Sequence, residues 1–128
     1  MVKFRAWDKI NARIVDWREI RSWRRSIGDL VTEPNLVTMD YTGAQDKNNV
    51  EIYEEDILKI SMTERTIRSW KRELEPVKVV VTYDNLGWSC SGGEGKSLYN
   101  YKTMDMTEIE VIGNRYENPE LYREVNNE

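Results

Sequence analysis

The 128-residue chain contains no histidine, one cysteine, one phenylalanine and three prolines. Without histidine it lacks the commonest general base and metal ligand, and with Cys90 alone it can form neither an internal disulfide nor the usual cysteine and histidine zinc sets. No metal or cofactor is therefore expected, and an enzyme is not. A run of apolar residues long enough to cross a bilayer is also missing, as is a signal-peptide pattern, which points to a cytoplasmic protein with no membrane partner. Negative charge is in excess, at −4 overall, and its distribution is uneven. Residues 1–75 carry 14 Lys and Arg against 14 Asp and Glu, whereas residues 76–128 carry 5 against 9. A surface that tracks phosphate over its whole extent is excluded, and any anion-binding face has to come from the first part.

What the chain does have is large aromatic side chains, five Trp and seven Tyr, with 39% hydrophobic and 33% charged residues. That is enough for one folded domain, because a chain of this length buries roughly two-thirds of the surface its unfolded form exposes. Phe4–Trp7, the turn Asp8–Asn11 and Ala12–Val15 read as a hairpin with Phe4 and Ala6 on one face. Asp16–Ile27 is open between helix, from Trp17, Ile20, Arg24 and Ile27, and a continuation of the hairpin. Gly28-Asp29 and Glu33-Pro34-Asn35 punctuate the chain before a strand over Leu36–Tyr41. Thr42-Gly43 and Asp46–Asn49 read as consecutive tight turns. Asp56–Met62 reads as a strand, and Ile67, Trp70 and Leu74 predict a short amphipathic helix in an insertion over Thr63–Leu74. Val77–Tyr83 is the clearest strand, with Val79, Val81 and Tyr83 on one face and Val80 and Thr82 on the other. Asp84–Gly87 turns it into Trp88–Ser91; further strands are expected at Leu98–Tyr101 and Glu108–Gly113.

Three stretches carry a family resemblance. Lys3-Phe4-Arg5-Ala6-Trp7-Asp8-Lys9, the central Tyr41–Ile60 and the closing Glu110-Val111-Ile112-Gly113-Asn114-Arg115-Tyr116-Glu117-Asn118-Pro119-Glu120-Leu121 resemble the YopX family of small phage and prophage proteins. The resemblance implies a shape and a genomic setting, in a bacterial host, but no reaction. It favours strand over Asp16–Ile27. Two glycines of the family pattern are replaced: Asn-Gly becomes Asn48-Asn49, and Tyr-Glu-Gly-Asp becomes Tyr53-Glu54-Glu55-Asp56. Glu accepts positive φ at a cost of about 1–2 kcal/mol, so the turn before Asp56 is either strained or of another type.

The expected fold is thus a single, predominantly all-β domain over 1–128. An N-terminal β-hairpin with connecting strands occupies 1–49, a small Src-homology-like barrel with one short helix in an insertion occupies 50–114, and a C-terminal tail follows over 115–128.

Motifs that suggest chemistry fail on inspection. Gly92–Ser97 ends like a phosphate-cradling loop, but position 90 is Cys90 and a strand pattern follows where a helix is required. Asp46–Ile57 lacks the glycine and the twelfth-position Glu of a calcium loop. Glu54, Glu55 and Asp56 read as a solvated edge, and Cys90 has no base to activate it.

Two near-identical hexapeptides stand apart, Ile20-Arg21-Ser22-Trp23-Arg24-Arg25 and Ile67-Arg68-Ser69-Trp70-Lys71-Arg72. A Trp among cations can stack on a base while the cations meet phosphate. It can equally be a core anchor with solvated neighbours, which is the commoner use of Trp. Arg21, Trp23, Arg24, Arg25, Arg68, Trp70, Lys71 and Arg72 are the candidate partner-binding residues. The leading expectation is a non-catalytic protein that binds an unidentified protein or itself, and the alternative is a nucleic-acid-binding module built on those eight residues.

Overall fold

A computed structural model describes residues 3–65, 71–73, 75–84, 87–91 and 107–126. The described chain is mostly β and forms two sheets, the second curled into a half-barrel and covered by a short C-terminal helix.

The first sheet has β1 (Phe4–Asp8) between β2 (Arg13–Val15) and β3 (Leu36–Gln45), with β4 (Glu51–Tyr53) on the far side of β3. The β1–β2 hairpin forms as its sequence requires. Asp8 Oδ1 accepts from the backbone N–H groups of Ile10 and Asn11, and Asp8 Oδ2 accepts from Asn11 Nδ2. Ala12 takes the positive φ, 50°, and the ladder resumes at Asp8–Arg13. Phe4 and Ala6 share the buried face and pack with Val15, Ile20 and Leu30.

Asp16–Ile27 does not extend the hairpin. It holds α1 (Trp17–Ser22), and a second short helix, α2 (Ile27–Val31), takes in the Gly28-Asp29 expected to be a break. Both start at side-chain caps: Asp16 accepts from Glu19 N at 2.8 Å, and Ser26 accepts from Asp29 N at 3.1 Å. Satisfying the free N–H groups of the first turn is what lets six- and five-residue helices form where only Ile20 and Leu30 are buried.

Thr42-Gly43 is not a turn but an irregularity inside β3, where the register against β4 shifts between Tyr41 and Gln45. Gly43 has φ +87°, and Thr42 Oγ1 accepts from Ala44 N while donating to the carbonyl of Ile52. Asp46–Asn49 is the expected tight turn. Its Asp46 carboxylate is buried, accepting from Asn48 N and Val50 N on one oxygen and from Val111 N on the other.

β5 (Asp56–Arg65) is the centre of the second sheet. β7 (Val77–Asp84) pairs along it from Ile57–Val80 to Ile60–Val77, and β9 (Thr107–Asn114) pairs with it from Asp56 to Met62. β8 (Gly87–Ser91) adds to β7. The described residues of the stretch expected to be a helix, Thr63–Leu74, are strand instead: Thr63–Arg65 of β5 pair with β6 (Lys71–Glu73). At those positions a ladder that satisfies the backbone of both arms prevails over the helical spacing of the apolar residues.

The two faces of β7 behave as its alternation predicts. Val79 and Val81 join Ile52, Leu58, Ile60 and Ile109 in one core, while Val80 joins Ile57 and Ile112 on the other side. That second side is covered by α3 (Pro119–Asn126), which brings Leu121, Tyr122 and Val125. The segment expected to be a tail is therefore a helix over a hydrophobic sheet face. The expected strand at Leu98–Tyr101 and the Gly92–Lys96 loop lie outside the described residues.

Candidate functional site

The face of β1 opposite Phe4 and Ala6 carries Lys3, Arg5 and Trp7, which meet three tyrosines. Lys3 Nζ lies 5.0 Å from the Tyr41 ring centroid, Arg5 Cζ lies 4.8 Å from that of Tyr53, and Trp7 stacks on Tyr116 at 5.6 Å and 19°. Lys3 also pairs with Glu51, whose other oxygen is 3.3 Å from the Tyr53 hydroxyl. The tyrosine and glutamate contacts of Lys3 and Arg5 lie within the first sheet, and the Trp7–Tyr116 stack joins that sheet to the segment that follows β9 of the half-barrel.

At the middle of the seam Arg5 Nη2 donates to Asp56 Oδ1 at 2.5 Å, with side-chain exposures of 12% and 1%. Asp56 Oδ2 accepts from Tyr53 N at 2.8 Å. Burial raises the Asp56 pKa, and Arg5 acts against that rise. The solvated edge expected for Glu54, Glu55 and Asp56 is thus corrected: Asp56 is wholly buried, and Glu54 and Glu55 are partly so, each with its pKa raised chiefly by lost solvation. Glu55 sits at φ +70°, the strained alternative of the two expected for this turn. Its backbone N–H donates to Val81 and its carbonyl accepts from Arg115, while Glu54 N donates to Asp40. One turn therefore ties β3, β7 and the end of β9 together.

The closing stretch has a matching role. Asn114 Oδ1 accepts from Tyr116 N and Glu117 N, and Asn114 N donates to Asn118 Oδ1. A Cβ on Gly113 would stand 2.4 Å from that Asn118 oxygen, so only glycine lets the loop close onto itself before α3. Chemically, these clusters hold elements in place. Asp56 is matched by Arg5, and the Tyr53 phenol is pushed upward in pKa by burial and by Glu51, away from a proton-transfer role near neutrality. No sequence signal connects Arg5 with Asp56, 51 residues away.

The first hexapeptide lies on the other side of β1. Arg21 is exposed near the end of α1, Trp23 is half-buried against the Phe4, Ile20 and Leu30 cluster, and Arg24 is exposed with φ +55°. Arg25 faces Glu33 at 3.6 Å. Trp23, Ile10 and Leu36 form the apolar walls of an open groove of about 520 Å³, edged by Asp8, Arg25 and Glu33 and by the amides of Asn11 and Asn35. In the second hexapeptide Arg68 and Trp70 lie outside the described residues. Lys71 and Arg72 are in β6, opposite Arg65 and Glu64, whereas Arg24 and Arg25 follow a helix. Where both copies of the sequence are described, they therefore differ in structure.

The fold has a solved counterpart. Protein EF1440 from Enterococcus faecalis is similar over 95% of this chain and 98% of its own, with 24% identity and a TM-score of 0.63, a likeness of fold. No curated protein matches. The family description "YopX protein" matches residues 3–123, which include the β1 strand, the Asp46 and Glu55 turns and the Gly113–Asn118 closure just described, and on that match the chain belongs to the YopX family.

Proposed function

We propose that the protein is a non-catalytic interaction protein of phage or prophage origin, acting in a bacterial cytoplasm, that binds another protein or a second copy of itself. The observation that carries this reading is the placement of its exposed apolar side chains. Among the described residues four large apolar side chains are exposed, and three of them, Ile10, Ile27 and Val31 at 72%, 47% and 52%, lie in the N-terminal third that also holds the Trp23 groove, with Val50 at 47% in the turn before β4. Ile27 and Val31, four residues apart on α2, turn outward while Leu30 turns in. Large side chains left in water in one region mark surfaces that another chain covers. The half-barrel is read, with this, as a member of the small Src-homology-like barrels, on the strength of its β5–β7–β8 meander and the return of β9 to β5.

A second reading, nucleic-acid binding, is favoured by one observation: Trp23 is only partly buried and Arg21 and Arg24 are free to meet phosphate. The two readings separate in affinity capture from host lysate with and without nuclease, run beside light scattering over a concentration range. A retained protein that survives nuclease, or a concentration-dependent dimer, is the expected result. A monomer that retains only nucleic acid would overturn the first reading in favour of the second.

A further inference from the structure

Three backbone hydrogen bonds meet at the turn Glu54–Asp56: Glu54 N donates to the carbonyl of Asp40 on β3, Glu55 N to that of Val81 on β7, and Arg115 N to that of Glu55. With the Arg5–Asp56 pair they hold the first sheet against the half-barrel. The turn that carries them is unfavourable in itself. Glu55 has φ +70°, a left-handed conformation that is costly for any residue with a Cβ. Its side chain is 19% exposed, its Oε2 is buried with no hydrogen-bond partner among the described residues, and its Oε1 stands 3.7 Å from Arg115 Nη1, beyond hydrogen-bond reach. Charge is also out of balance. Asp40 from β3, Glu54, Glu55 and Asp56 of the turn, and Glu117 from the segment after β9 are set against Arg5 from β1 and Arg115, five acids against two arginines. The phenols of Tyr53 and Tyr116 beside them supply no counter-charge, since burial raises both and keeps them neutral.

We propose that this turn is a proton-responsive latch between the two sheets, which closes firmly in mild acid and opens locally, with both sheets still folded, as the pH rises to neutrality. It stands apart from the interaction role proposed above. A proton on Glu55 neutralises the carboxylate whose Oε2 is unmatched and reduces the excess of acid over arginine at the junction. Burial is the chief cause that raises the folded pKa of Glu54, Glu55 and Asp56 alike. Such a carboxyl holds its proton more tightly in the closed turn than in the open one, so closure is favoured below the ordinary carboxylate range and loses that gain as pH climbs through the raised value. Strain at Glu55 supplies the other half of the device. It lowers the work of opening at every pH, so the latch yields before the regular ladders of β5 with β7 and β9.

The test is amide hydrogen exchange of the full chain, read residue by residue at about pH 5 and about pH 7 and corrected for the intrinsic pH dependence of exchange, with the β5 amides of Ile57–Ile60 as reference. At neutral pH the N–H groups of Glu54, Glu55 and Arg115 should open at least about tenfold more often than the reference amides, and about threefold more often than they do in acid. Glu55→Gln keeps the strain and removes the charge, so it should lose most of the pH response. Glu55→Gly removes both, and should also reduce opening about tenfold in acid. Exchange of the three amides no faster than the reference, a wild type indifferent to pH, or an undiminished response in Glu55→Gln would each overturn the proposal. So would a Glu55→Gly variant that opens as often as the wild type.

Discussion

Replacing Arg5 by Ala should damage the protein more than the loss of one ion pair between strands of the two sheets suggests. Asp56 is fully buried, and its remaining bond in that site is the one from Tyr53 N. Removal of the guanidinium leaves a carboxylate without its counter-charge in a place water does not reach, which costs about 3–5 kcal/mol, whereas replacing both partners by apolar groups is often close to neutral. Arg5 also covers the Tyr53 ring, so some packing is lost with it. The cost has a distinctive pH dependence. The folded-state pKa of Asp56 is already raised by burial, and removing Arg5 removes the group that opposes the rise. A carboxyl with a raised folded pKa contributes stability below its unfolded value and loses it as pH climbs through the folded one. The Arg5→Ala deficit should therefore be large near neutrality and shrink on acidification toward about pH 5, and Asp56→Asn in the same background should recover part of it at neutral pH. Urea unfolding of the wild type, Arg5→Ala, and Arg5→Ala, Asp56→Asn at both pH values measures this. A deficit under about 1 kcal/mol, or one that does not change with pH, would refute the reasoning.

Glu55→Gly should stabilise the protein by about 1 kcal/mol in chemical denaturation, since it relieves a left-handed residue and removes a half-buried carboxylate oxygen that has no partner. Wild-type stability minus that of Glu54→Gln, Glu55→Gln should rise as pH falls from neutral toward the ordinary carboxylate range, because both folded pKa values are raised; a difference that falls would contradict the burial assigned to them. Gly113→Ala should cost about 1–3 kcal/mol by thermal unfolding, as the new methyl group displaces the Asn118 side chain from Asn114 N. Ending the chain before Pro119 should expose Ile57, Val80 and Ile112 and bring dye binding typical of uncovered apolar surface, while the chain keeps its strand signature by circular dichroism.

Elements written in adjacent residues were legible without the structure. The alternation of Val77–Tyr83 assigned Val79 and Val81 to one face and Val80 to the other, because a strand's side chains can only alternate, and the structure puts Ile57 and Ile112 with Val80. The hairpin at Asp8–Asn11 and the turn at Asp46–Asn49 follow from side chains that bond their own backbone. The left-handed Glu55 was visible as a glycine missing from a family pattern. Two caps, Asp16 with Glu19 and Ser26 with Asp29, were also present in the sequence, and they decide for helix over Asp16–Ile27, which apolar spacing alone left open. The Asn118-Pro119-Glu120 start of α3 was likewise present, in a segment expected to be a tail.

Other features depended on partners distant in the chain. Ile67, Trp70 and Leu74 are at helical spacing, yet Thr63–Arg65 and Lys71–Glu73 pair as strands because β5 is already held in extended form by β7 and β9. Asp56 looks like one more surface acid until Arg5 arrives from another strand, and Trp23 becomes half core and half groove wall only when the hairpin tip and β3 close beside it. Local sequence by itself determined where the backbone turns and which faces alternate, since those depend on a residue and its neighbours. Burial of charge and the choice between helix and ladder were decided only in the tertiary structure, where the energy lies in contacts between segments that meet nowhere but in the fold.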